Sequence, residues 1–340
     1  KKYHYRSANT KDVLLGMKDL VNKIEKKKKL KNQTVLDIGC NDGSLLDIFK
    51  KKGAATFGIE PTNAYLEAKK KGHKVYNKYF NLNLSKILKK RLKKIDIITF
   101  TNVFAHIEDF KDLIKSLKNL VSDQTLIVIE NHYLKEVIEK NQFDTFYHEH
   151  PRTYSLKSFE FISRKLEKRL SGVFFPKRYG GNIRVYISNE DFYLKDDNNQ
   201  NALNKVNEEY MIEEFNKMQS FIDNWKKETK IAILNLKKEH DKIYGKSFPG
   251  RAAILLKLID LDADIMPMIF EKKGSMKLNH FAPGTRIKIC SDELWMNNEN
   301  KPDVLLIWAW HIHEEIAGYL RSLGYKGRLF TPLPKFKEIL

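Results

Sequence analysis

The stretch that most limits the possible folds is Thr34-Val35-Leu36-Asp37-Ile38-Gly39-Cys40-Asn41-Asp42-Gly43, followed at once by Ser44 to Lys51. The short apolar run reads as a strand buried on both faces, and Gly39 and Gly43 allow the backbone to turn tightly and a ligand to approach it. The segment from Ser44 reads as a helix whose amino-terminal N–H groups are free to meet that ligand. The same alternation continues, with strands expected at Ala54 to Ile59, Lys74 to Tyr76, Ile95 to Phe100 and Thr125 to Glu130, and a helix around Phe110 to Val121. Such β-α repetition implies a Rossmann-like, doubly wound parallel sheet that binds its ligand beyond the carboxyl ends of the strands.

The loop chemistry narrows the ligand. Glu60, at the end of the second strand, is placed to accept hydrogen bonds from both ribose hydroxyls. Gly39-Cys40-Asn41-Asp42-Gly43 lacks the central glycine that close approach to a pyrophosphate needs, and Asp42 puts negative charge where phosphates would lie. Asp37 is positioned to meet an ammonium or a ribose. A cationic, phosphate-free nucleoside such as S-adenosylmethionine suits this loop better than a dinucleotide.

A second stretch, Gln142 to Ser155, has neither a strand nor a helix period and is crowded with polar and aromatic groups. Tyr147, His148, Glu149, His150 and Tyr154 supply several acids and bases whose pKa values burial and neighbours can tune. His106, in the segment after the fourth strand, falls at the same ligand-binding edge.

The formal charge of +19 raises the question of nucleic acid. The excess is mostly lysine, scattered in runs such as Lys26 to Lys29 and Lys89 to Lys94 beside amphipathic helices. A nucleic-acid reader clusters arginine with exposed aromatic rings, so no nucleic-acid partner is expected, although the same field attracts phosphorylated small molecules. No apolar run is long enough to span a bilayer and no signal peptide opens the sequence, so a membrane role is not expected and a cytoplasmic location is. Cys40 and Cys290 have no CxxC partner, and His148 and His150 lack a third ligand, so no metal site is expected.

The 340 residues suggest more than one domain. Residues 1–33 read as an amino-terminal arm with Tyr3 and Tyr5, then an amphipathic helix carrying Val13, Leu14, Met17, Leu20, Val21 and Ile24. Residues 34–195 form the cofactor-binding domain. Residues 196–340 form a smaller, second α/β Rossmann-like domain, opened by a long helix over Asn201 to Asp241 and carrying a loop with Lys246, Ser247, Gly250 and Arg251.

Val35 to Leu46, Gly58-Ile59-Glu60-Pro61, Asn102-Val103-Phe104-Ala105-His106 and Phe143 to His150 resemble the S-adenosylmethionine-dependent sugar C-methyltransferases, which include the nucleotide-sugar 3-C-methyltransferases. The likeness continues through Gly180 to Tyr186, Tyr244-Gly245, Pro249-Gly250-Arg251, Pro283-Gly284-Thr285 and Lys301-Pro302-Asp303. It implies a class I methyltransferase fold, with Asp37, Gly39, Asn41, Gly43, Glu60 and Asn102 at the cofactor.

The resemblance further implies carbon methylation of a nucleotide-linked 4-keto-6-deoxysugar through an enolate. His150 is the expected base, Glu149 orients it or shares the proton, and Tyr147 and His106 are expected oxyanion or hydroxyl contacts. Tyr3, Tyr5, Tyr154, Gly181, Asn182, Arg184, Lys246 and Arg251 are expected substrate contacts, while His148 is expected to face into the structure. Pro151-Arg152-Thr153 departs from the family's usual apolar and aromatic trio, directly beside the site. That departure leaves open an oxygen or nitrogen acceptor on another nucleotide sugar or small molecule. An RNA methyltransferase or RNA-binding protein is the more distant alternative, and the oligomeric state is left open.

Overall fold

The computed structural model describes residues 6–9, 11–190, 192, 208–296 and 301–339. Tyr3 and Tyr5 lie outside the described residues. The packing of the backbone divides the chain into two units, Lys1–Glu136 with His148–Glu209, and Val137–Tyr147 with Tyr210–Leu340. The sequence places one boundary between residues 195 and 196; in the structure the chain passes from one unit to the other at three points.

In the first unit, among the described residues, seven strands form one sheet: β1 Thr34–Ile38, β2 Ala55–Ile59, β3 Lys74–Tyr76, β4 Ile97–Thr101, β5 Leu126–His132, β6 Arg169–Phe174 and β7 Asn182–Ser188. Their order is β3-β2-β1-β4-β5-β7-β6. All pairings up to β5 are parallel, whereas β7 runs antiparallel to β5 and β6. Strand order reverses between β1 and β4, which opens a crevice at their carboxyl ends.

The two faces of this sheet bury separate cores because side chains alternate along each strand. Leu36, Ile38, Ile98, Phe100, Ile127 and Ile129 join one core with Leu113, Leu117, Phe159 and Ile162 from the helices Phe110–Leu120 and Leu156–Lys165. Val35, Ile97, Leu126 and Val128 join the other, with Val13, Met17, Leu20, Val21 and Ile24 from the helix Lys11–Glu25. That helix presents the apolar stripe read from its spacing. Asp109 caps the helix Phe110–Leu120 by accepting from the Asp112 N–H at 2.8 Å, which fixes the turn that follows His106.

In the second unit, among the described residues, six strands form a sheet in the order β10-β9-β8-β11-β12-β13. They are β8 Ile243–Lys246, β9 Met268–Glu271, β10 Lys288–Ser291, β11 Val304–Ile307, β12 Arg328–Thr331 and β13 Lys337–Ile339. All pairings are parallel except β12 with β13. Gly245 permits the close packing at its centre, since a Cβ there would meet Ile269 at 2.6 Å and the Trp308 indole at 2.8 Å. The long helix spans Met211–Glu239 and buries Met218, Trp225, Thr229, Ile233 and Leu236. Trp225 donates to the Pro332 carbonyl at 2.7 Å and stacks edge-on against Phe143 at 5.1 Å, so the short segment Val137–Tyr147 packs with this unit.

No helix among the described residues is long and apolar enough to cross a membrane.

Candidate functional site

The glycine loop after β1 assembles the first half of the site. Gly39 has φ +76°, and a Cβ on it would come within 2.4 Å of Val103, so the turn after β4 lies directly against the loop. Gly58 makes room in β2 for the Cys40 side chain, which a Cβ would meet at 2.5 Å. Gly43 has φ +79° and faces Ala68 and His73 at 2.9 Å, so its lack of a side chain serves packing.

The acids expected around the cofactor converge here. Glu60 is buried and accepts from the backbone N–H of Asn41 at 2.9 Å and of Thr62 at 2.8 Å. Asp37 is buried at the end of β1 and accepts from the Thr99 hydroxyl at 2.7 Å. Burial, with the charge of Glu60 adding to it, pushes the Asp37 carboxyl up to about 7. The same acids and burial push the Cys40 thiol well above its usual value.

Asn41 and Asp42 have a second task. The Asn41 amide oxygen accepts from the Ser7 N–H at 3.1 Å, and Asp42 accepts from the Ala8 N–H at 2.9 Å and from the Ser44 hydroxyl at 2.6 Å. The amino-terminal segment is thereby pinned to the glycine loop.

The second half of the site lies at the ends of β4 and β5. Asn102, at φ +54°, donates its N–H to the Glu130 carbonyl at 2.7 Å. The His106 imidazole is hydrogen-bonded to the backbone at Glu149 and Asn102, and burial holds its pKa below the usual value against the pull of those bonds and of the Glu149 carboxylate. The His150 ring meets His106 at 4.8 Å and His132 at 5.5 Å between centroids. Two of the expected catalytic groups, His106 and His150, are therefore neighbours, with Glu149 beside them. His148 is exposed, which corrects the expectation that it faces into the structure. Tyr147 belongs to the second unit, where its ring lies 3.7 Å from the position of a Cβ on Gly250.

Sequence reasoning missed His132. The strand expected to end at Glu130 runs on to His132, which stands opposite Asn182 on β7. The available signal was a polar run, Glu130-Asn131-His132, closing an apolar strand at the carboxyl edge where ligands bind.

Several expected substrate contacts are otherwise engaged. Arg184 is fully buried, donating to Glu130 at 2.7 Å, to Asp19 at 2.7 Å and to the Gly16 carbonyl at 3.2 Å. Arg178 and Asn182 also donate to Glu130. Burial alone would raise the Glu130 carboxyl, but Arg184 and Arg178 outweigh it and hold the group below its usual range. This network docks the helix Lys11–Glu25 on the sheet, and Asn182 continues from it toward the Asn102 amide at 3.5 Å. Gly181 packs against Glu136, which a Cβ would meet at 2.8 Å.

In the second unit Lys246 makes two bonds to Asp292, at 2.7 and 2.6 Å, with both residues buried. Arg251 makes two bonds of 2.6 Å to buried Asp144, which also accepts from the Trp310 indole at 2.7 Å. Each of these cations faces an internal carboxylate.

The donor set at the first sheet fits S-adenosylmethionine. Among the described residues, Lys71 is the cation paired with the acidic trio, and it reaches one member, Asp42, at 3.9 Å. Buried carboxylates left with so little compensation favour a cationic ligand. When bound, the cofactor supplies a methyl group on a positively charged sulfur.

The strand order and this acid-lined loop define the chain as a class I S-adenosylmethionine-dependent methyltransferase. A methyltransferase domain family matches residues 10–166, and a C-methyltransferase C-terminal domain family matches residues 177–334. The chain belongs to the S-adenosylmethionine-dependent C-methyltransferases. It is 23% identical to the C-methyltransferase NovU of Streptomyces niveus over 350 aligned positions, covering 99% of this chain and 81% of that protein. A ubiquinone biosynthesis O-methyltransferase of Coxiella burnetii is 29% identical over 102 residues, 29% of this chain and 43% of that protein. The magnesium protoporphyrin IX methyltransferase of Synechocystis, solved with bound S-adenosylmethionine, aligns over 52% of this chain and 80% of its own, with 12% identity and a TM-score of 0.39.

Proposed function

We propose that this methyltransferase transfers a methyl group to carbon on a nucleotide-linked 4-keto-6-deoxysugar, through an enolate. The observation that carries the reading is the meeting of His150 with His106 and His132, beside Glu149, at the carboxyl edge of the methyltransferase sheet. Carbon is a poor nucleophile until a proton alpha to a carbonyl is removed, and that step needs a base and a donor to the developing oxyanion.

His150 removes the proton, and the Glu149 carboxylate stabilises the imidazolium that results. His106, kept neutral by burial, remains a hydrogen-bonding group and does not compete for the proton. Tyr147 donates to the substrate's oxygen or hydroxyl. Asp37, Gly39, Asn41, Gly43, Glu60 and Asn102 hold the cofactor. The residues from 196 onward, as the sequence divides the chain, contribute to binding the nucleotide part; Lys246 and Arg251 shape that region through their carboxylate pairs.

The test supplies S-adenosylmethionine and a panel of nucleotide-linked 4-keto-6-deoxysugars in deuterated water, with products followed by mass spectrometry and NMR. A product heavier by one methyl at carbon, with exchange of the alpha proton, is expected. His150→Ala should reduce turnover by about 10²–10⁴-fold, the usual worth of a positioned acid–base group. Cofactor binding without either exchange or methylation of any keto sugar would defeat the carbon-enolate reading and move the search to oxygen and nitrogen acceptors.

A further inference from the structure

The acceptor proposed above carries a diphosphate, yet Arg184, Lys246 and Arg251 are each committed to buried carboxylates. Arg152 is different. It follows His150 by two residues and is half-buried, and among the described residues no carboxylate pairs with it. One guanidinium nitrogen, Nη1, donates to the carbonyl of Ile107 at 2.8 Å, immediately after His106, and the group lies over the Phe110 ring at 5.9 Å. These contacts hold the side chain in place and leave its other donors uncommitted. A fixed, half-desolvated guanidinium without a counter-ion is a preorganised oxyanion receptor.

Tyr154, two residues further on, is 5% exposed, its ring packed between Phe104 and Phe159 at 5.2 and 5.3 Å and its hydroxyl enclosed, so it belongs to the core and takes no part in this receptor.

We propose that the Arg152 guanidinium, held beside the segment that carries His106, forms an oxyanion subsite that receives the diphosphate of the acceptor next to the His106–His150 pair. This rests on the reading of the acceptor given above, which it makes more specific. It gives Arg152, in the segment that departs from the family's usual apolar trio, a task in choosing the substrate. The subsite binds and orients; it takes no part in proton removal.

The test is a calorimetric titration of the full chain with inorganic pyrophosphate, and in parallel with malonate, without any turnover. Arg152→Gln is expected to weaken pyrophosphate binding about tenfold or more, the loss of a charge-assisted bidentate contact. Arg152→Lys keeps a charge and a donor for the Ile107 carbonyl but not the fork, and should weaken binding by roughly threefold to tenfold. If Arg152→Gln fails to fold, Arg152→Lys carries the same test. Binding of pyrophosphate unchanged within twofold in all folded variants overturns the subsite. Arg152-dependent binding of malonate but not of pyrophosphate overturns its assignment to a diphosphate. Failure of all keto sugars to react, with Arg152-dependent pyrophosphate binding intact, would sink the carbon-enolate reading and leave the subsite standing.

Discussion

The carboxyl edges of the two sheets handle buried charge in opposite ways. At the first, Asp37, Asp42 and Glu60 lie within one loop system, and among the described residues Lys71 alone approaches them, 3.9 Å from Asp42. At the second, Lys246 and Arg251 each meet a carboxylate through two short bonds. Charge without a partner in the folded chain is charge held for a ligand, whereas charge matched internally belongs to the architecture. The two edges should therefore respond differently to mutation, one in affinity and the other in stability.

The largest effect should come from breaking an internal match. Arg251→Ala strands Asp144 in the interior and is expected to cost about 3–5 kcal/mol, seen by calorimetry as a lower-melting transition. The double change Arg251→Met with Asp144→Leu should recover part of this, though not all, because Trp310 loses its acceptor as well. A melting temperature unmoved by Arg251→Ala would erase the contrast.

Gly39→Ala comes next. It forces a left-handed backbone on alanine and a contact of 2.4 Å with Val103, with an expected loss of about 1–3 kcal/mol in stability. Pairing it with Val103→Ala should relieve the contact but not the backbone strain, so only part of the stability returns.

Asp37→Asn sharpens the comparison from the ligand side. The Asp37 carboxyl, pushed up to about 7, holds its proton below that pH, and a cation favours its ionised form. Cofactor affinity should therefore rise with pH up to about 7 and then level off, with proton release detectable in buffers of different ionisation enthalpy. Asp37→Asn should flatten this profile and weaken binding above pH 7 by about tenfold, or roughly 1.4 kcal/mol. The stability of the ligand-free chain runs the other way. Between the ordinary carboxyl value near 4 and about 7 the unfolded chain is ionised and the folded one is not, so this group's contribution falls as pH rises. A pH-independent affinity would show that Asp37 does not sense the cofactor's charge.

Tyr154→Phe should have the smallest effect on the fold, and of opposite sign. Removing a buried hydroxyl that has no partner should leave stability unchanged or raise it by up to about 1 kcal/mol, measured by denaturant titration. A clear loss would mean that the hydroxyl already has a partner within the fold.

The sheet strands and the glycine loop were legible in the sequence because they are local. An apolar run, two glycines and a terminal acid all fall within one short stretch from Thr34 to Glu60. The ring contact of His106 with His150 was foreshadowed by a histidine just after an expected strand and by the polar, aperiodic stretch Gln142 to Ser155. The fates of the arginines and lysines were not legible. Arg184 finds Glu130 at a separation of 54 residues, Lys246 finds Asp292 at 46, and Arg251 finds Asp144 at 107. A basic residue in a loop looks the same whether a phosphate or a distant aspartate awaits it, and only the fold decides. His132 escaped notice for a related reason. Its strand extends beyond the apolar run, carried by backbone pairing with Asn182 and Ile183 and not by hydrophobic side chains.

The segment Val137–Tyr147 packs with the second unit although the chain on both sides of it belongs to the first. A gene-level recombination that joined this methyltransferase half to a foreign C-terminal half at any single crossover point between residues 144 and 251 would part Asp144 from Arg251, which form one buried pair. Productive chimeras need two exchanged stretches, or a compensating pair of substitutions at those positions. The chain is thus less modular than its tandem order of family matches suggests, and the eleven residues before His148 would travel as part of the second half's heritage.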